Sequence, residues 1–280
     1  MSIPRRAITG VVALSILTLT ACAAPEPPST GTDHATAPTD HVHAIVTDPG
    51  GDGFLIGTHQ GIYTATGDGT LGSRVGAGFD AMGLTVVGTE LIASGHPGPS
   101  TPTEWGSPNL GIIRSSDNAQ TWDPVAFTGE KDFHALTAAP DGSIYALATD
   151  SIDLQRSVDG GTSWAPTGAS LMASALTVDA TGRLVATTPD GLRTSTDDGA
   201  TFSPWPDAPL LYVLAASPDQ QRLVGVDTKE RIWVTTAGAS GWVEAGTAHG
   251  AAQAVTITNS GNLFIADDSG LTYLESQEVR

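Results

Sequence analysis

His43, His59, Met82, His96 and His134 carry the side chains best suited to chemistry in this 280-residue chain. Neutral imidazoles with a thioether are donors that suit copper, and imidazoles alone suit zinc. Counting His41, five of the seven histidines lie between residues 41 and 134. His41 and His43 are two apart, which puts them on one face of an extended strand. No compact metal motif, Ser-His-Asp order, phosphate loop or dinucleotide fingerprint occurs. A site built from these residues must therefore be assembled from distant parts of the chain. The competing reading is that the histidines bond one another and water.

The elements that would assemble them are short and repeat. Runs of four to eight strand-like residues alternate with Gly, Asp, Asn and Pro turns from residue 41 onward, with no helical period. Six segments align as the first strand of a unit: His43–Val46, Met82–Thr85, His134–Thr137, Ser174–Thr177, Tyr212–Ala215 and Gln253–Thr256, at offsets of 39, 52, 40, 38 and 41 residues. The long offset reflects about 12 extra residues, roughly Pro97 to Asn109, in unit two. A second strand follows in each unit, from Phe54–Gly57 in the first to Leu263–Ala266 in the last. A supersecondary unit copied at a period near 40 makes the blades of a propeller, so the expected fold is all-β: a six-bladed β-propeller of four-stranded antiparallel blades over residues 41–280. Unit six ends after its third strand, and the sequence leaves its closure open.

Units two, three and four carry a matching phrase: Ser115 to Trp122, Ser157 to Trp164 and Ser195 to Phe202, each Ser-x-Asp-x-(Gly/Ala)-x-(Thr/Ser)-aromatic. The phrase resembles the Asp-box (BNR) repeat of sialidase-like and sortilin-like propellers. Asp117, Asp159 and Asp197 are read as acceptors for turn N–H groups, and Trp122, Trp164 and Phe202 as packing between blades. An EF-hand would need further ligands and a bidentate Glu that are missing. With its His-Val-His opening, Gly-His-Pro and Asp-Phe-His-Ala-Leu, residues 41–280 also resemble a group of bacterial secreted lipoproteins labelled glycosyl-hydrolase-like. That label rests on fold analogy and does not establish catalysis. Sialidases hold the substrate carboxylate with three rim arginines, whereas Arg114, Arg156 and Arg193 sit in third strands, away from the axis. Sialidase activity is therefore not expected.

In a blade the start of the first strand and the end of the second meet on one rim, and the Asp boxes turn on the other. His43, His59, Met82, His96 and His134 then share one arc of one rim, over three successive units. They are the expected ligand site and candidate copper or zinc ligands. Trp105, in the extra loop after His96, is a candidate for stacking on a sugar or partner. Asp80, Asp150, Asp190 and Asp268 keep a glycosidase open.

Residues 1–21 read as an export signal: basic Arg5 and Arg6, an apolar run, then Leu19-Thr20-Ala21-Cys22, which matches a lipobox. Cys22, the sole cysteine, is the expected lipidation site, and residues 22–40, rich in Pro, Thr and Ser, a flexible tether. The mature chain would keep 10 Lys+Arg against 30 Asp+Glu, a charge of −20 that repels nucleic acid and anionic headgroups. The expectation is an exported monomer held at the outer face of the cytoplasmic membrane. It would bind a small ligand, a glycan or an envelope protein through the rim, with glycan hydrolysis or a pure scaffold role as alternatives.

Overall fold

The computed structural model describes residues 41–276, and the signal, Cys22 and tether expectations lie outside that range. Among the described residues no helix is long and apolar enough to cross a membrane. The chain forms six antiparallel sheets, five of four strands and a last one of three, each running outward in sequence order. Blade one illustrates the pattern: Val42–Thr47 innermost, then Phe54–Thr58, Gly61–Ala65 and Leu71–Val75. Second strands such as Phe54–Thr58 and Ile144–Ala148 are buried along their whole length because sheets pack on both of their faces. The Phe-Leu-Ile-Gly run expected in blade one, and the Tyr-Ala-Leu-Ala run of blade three, follow from that two-sided burial.

The innermost strands form a ring: Val42–Thr47, Phe79–Val87, Phe133–Ala138, Ala175–Val178, Leu211–Ala216 and Ala252–Ile257, each packed on the next and the last on the first. Blade six has three strands among the described residues, and it closes against blade one by packing. Phe54 and Phe264 lie 4.7 Å apart between ring centres, and the Val42 amide donates to Gln253 Oε1 at 2.9 Å. Neighbouring backbones approach closely. A Cβ at Gly83 would lie 2.4 Å from the Phe133 carbonyl oxygen, so only glycine lets blades two and three meet there.

The three repeated Ser-x-Asp phrases form turns in which serine and aspartate share the acceptor role. Asp159 accepts from the Ser163 amide at 2.8 Å, and Asp117 and Asp197 do the same with Thr121 and Thr201. These carboxylates are at the surface, and the buried acceptor is the serine. Ser157, 1% exposed, accepts from the Gly161 amide at 2.9 Å while its hydroxyl donates to Asp159 at 2.9 Å. Ser115 and Ser195 repeat this at Ala119 and Gly199. Trp122 packs on Phe79, Trp164 stacks on Phe133 at 5.8 Å, and Phe202 covers the core between blades three and four.

Candidate metal centre

The rim side chains are aimed by irregularities in the inner strands. Pairing between first and second strands slips at His43, Met82, His134, Tyr212 and Gln253, the same position in five blades. At a β-bulge one extra residue leaves the ladder and its side chain is redirected. These five, with Ser174, line the mouth of a central channel of about 690 Å³. At the other end the Gln220 side-chain amide crosses from blade five and donates to the Ala138 carbonyl at 2.8 Å, narrowing the floor.

Around this mouth the histidines gather in two groups, each completed by a carboxylate. In the first, His43 Nε2, His59 Nδ1 and Asp80 Oδ1 stand 3.3, 3.0 and 3.4 Å apart. His41 flanks them, its ring centre 4.9 Å from that of His43 and 6.1 Å from that of His59. In the second, His134 Nε2 and His96 Nε2 lie 2.6 and 3.4 Å from Asp132 Oδ2. His96 Nδ1 is 3.1 Å from Asn109 Oδ1. Within each group the three donor atoms fall inside 4.8 Å of one another. Met82 lies on the channel wall, between His43 and His134 in ring order.

His43 is the most enclosed of the described histidines, its side chain 9% exposed. Burial pulls its imidazole down to about 4; Asp80 opposes the shift, and the charges of His59, His41 and His134 deepen it. His43 is thus neutral at pH 7 and offers a lone pair.

Sequence reasoning placed the five candidate residues on one rim but missed Asp132 and Asn109 and left Asp80 without partners. Asp80 and Asp132 both stand two residues before the bulge position, where His41 stands in blade one and Met172, Leu210 and Ala251 in the last three. The alignment carried that signal. Asp150 is paired with Lys131 at 2.9 Å, and Asp268 accepts from Gln253 at 3.2 Å.

Trp105 requires a correction. It is 6% exposed, not available for stacking on a ligand, and meets Phe79 edge-on at 5.9 Å. The extra loop folds back onto blade one's exit, with Thr101 Oγ1 donating to the Gly78 carbonyl at 2.8 Å, and Trp105 fills the apolar space this creates. Tyr212, the rim phenol, is a strut: it donates to Glu230 Oε2 at 2.8 Å and accepts from the Ala252 amide at 2.8 Å. Burial and the Glu230 bond push it above the ordinary phenol range, the reverse of what a nucleophile needs.

The fold and rim together define a class: a six-bladed propeller with a histidine–carboxylate arc on one side of its channel mouth. No protein-family model matches the chain, and no curated protein matches it. Among solved structures it is similar to a gluconolactonase from Xanthomonas campestris, at TM-score 0.65 and 13% identity, covering 84% of this chain and 86% of that one. It is also similar to a catalytically inactive virginiamycin B lyase from Staphylococcus aureus with quinupristin, at TM-score 0.53 and 15% identity over 87% of each chain. A third likeness is the extracellular domain of a putative one-component system from B. thetaiotaomicron, at TM-score 0.55 and 11% identity over 83% of this chain. The chain spans 32% of that protein's length. At such identities the likeness is one of fold.

Proposed function

We propose that this protein is a lipid-anchored binding protein of the cell envelope whose propeller rim holds a divalent transition metal, zinc or copper, through His43, His59 and Asp80. The observation that carries the reading is the spacing of the three donors, 3.0–3.4 Å. Donors about 2.0–2.1 Å from a tetrahedral zinc are about 3.3 Å apart, so these atoms match one face of that tetrahedron. Two imidazoles and a carboxylate suit zinc or copper(II). Three protein donors leave a fourth position toward the channel, where a ligand binds the metal directly. Anchoring rests on the lipobox at Cys22, and export gains support from the fold shared with an extracellular domain. The mature charge of −20 favours cations over nucleic acid.

An enzymatic role is the second reading. Two proteins of like fold are named as a lactonase and a lyase. A rim metal with a free position would polarise a bound carbonyl or water.

The test is equilibrium dialysis of chelator-stripped, tag-free protein against zinc and copper, in a Cys22→Ser background so that the thiol cannot compete. His59→Ala and Asp80→Asn should each remove one metal equivalent, while Asp159→Ala should keep it. Unchanged binding in both rim variants would overturn the reading.

A further inference from the structure

The second group has a feature that hydrogen bonding among its own residues does not resolve. The Asn109 amide nitrogen donates to the Glu130 carbonyl at 3.0 Å, which turns its Oδ1 toward His96. That oxygen, 3.1 Å from His96 Nδ1, can only accept, so the Nδ1 of a neutral His96 carries the hydrogen. His96 Nε2 is then a bare lone pair, and it faces Asp132 Oδ2 at 3.4 Å. The same oxygen lies 2.6 Å from His134 Nε2. Asp132 is 4% exposed, and its other oxygen, Oδ1, has no hydrogen-bond partner among the described residues. A buried carboxylate with one idle oxygen, facing a lone pair across 3.4 Å, is stabilised by a cation between them.

We infer that His96, Asp132 and His134 form a second divalent-metal site on the rim, with Asn109 holding His96 in the tautomer that coordinates. The inference rests on the reading of the rim as metal-binding but uses a wholly separate donor set. On binding, His96 Nε2, His134 Nε2 and Asp132 become ligands. His134 coordinates through Nε2 with its hydrogen on Nδ1, so the imidazole stays neutral. Asp132 Oδ1 gains its missing partner through a two-oxygen grip on the metal. Asn109 acts as a positioning residue, fixing ring orientation as outer partners of metal-bound histidines do. The extra loop of blade two ends at Asn109 and so delivers it to the end of the second strand.

Metal counting separates this inference from the first site. Chelator-stripped full-length protein in the Cys22→Ser background, dialysed against zinc and measured by elemental analysis, should hold two equivalents. His59→Ala should hold one, His96→Ala one, and the double variant none. Asn109→Leu should weaken the second equivalent by about 10–100-fold while leaving the first, and Asn109→Asp, which keeps the acceptor, should restore it. His96 is at the surface, so its variant is expected to fold; far-ultraviolet circular dichroism checks this. One equivalent that His59→Ala abolishes and His96→Ala spares would overturn the second site and leave the first. One equivalent with the opposite pattern would overturn the first and support the second. No bound zinc would overturn both.

Discussion

His43 makes the folded state sensitive to acid in a way that can be calculated. Its imidazole titrates near 4 in the folded protein against 6.5 in an open chain, with burial as the leading cause. Between those values the unfolded chain takes up a proton that the folded one refuses. The stability that depends on neutral His43 is therefore complete above about pH 6.5 and drains away as the pH falls toward about 4. A gap of that size corresponds to about 3 kcal/mol if fully expressed. The rim opens to water and Asp80 sits within reach, so about 1–2 kcal/mol is expected in practice. The perturbation is His43→Gln, which keeps a polar group of similar reach but cannot titrate. Urea unfolding in the presence of chelator, at about pH 7.5 and about pH 5, reads the effect. Wild type should lose about 1–2 kcal/mol more than the variant over that interval, a shift of about 0.5 M in midpoint. Asp80, His59, His41 and His134 face His43, and all remain in both proteins, so they cancel in the comparison. Equal losses in the two proteins would refute the claim that His43 is held neutral by burial.

Three further outcomes follow from the packing and the proposed leader. Ser157→Ala, which strands the Gly161 amide, should cost about 1–3 kcal/mol in thermal unfolding, and the surface substitution Asp159→Ala should cost less; the reverse order would return the structural role to the aspartate. Gly199→Ala should destabilise by about 1–3 kcal/mol, because φ is +80° and the new methyl would meet Leu154 Cδ2 at 2.8 Å; an unchanged midpoint would contradict that turn. Cys22→Ser should leave an uncleaved precursor or release the chain into soluble fractions on cell fractionation, and normal processing with membrane retention would rule out lipidation there.

Much of the architecture was legible because it is periodic. Each first strand recognised by its apolar run falls inside an observed innermost strand or, at Ser174, one residue before it, and the His43, Met82 and His134 positions turned out to be bulges. The partners of the histidines were harder to read, because they lie between blades. Within blade two, Asp80 is paired across the ladder with His96. Its carboxylate nevertheless reaches back to His43 and His59 of blade one, and His96 is met by Asp132 of blade three. Each acid reaches the blade before it, Asp132 while also lying 2.6 Å from His134 of its own blade, and that reach depends on how sheets stack, which alternation along one strand does not encode. Trp105 misled for a related reason: a loop rich in Pro, Ser and Thr reads as solvent-facing, yet its one large apolar side chain found Phe79. Asn109 closes the same loop and carries no signature beyond its position after the insertion.

The most direct test of the rim as a metal centre is a crystal structure of zinc-loaded protein with data collected on both sides of the zinc absorption edge. The account predicts an anomalous peak about 2.0–2.1 Å from His43 Nε2, His59 Nδ1 and an Asp80 oxygen. Zinc found only among the turn aspartates of the opposite rim, with His43, His59 and Asp80 in contact only with one another, would contradict it.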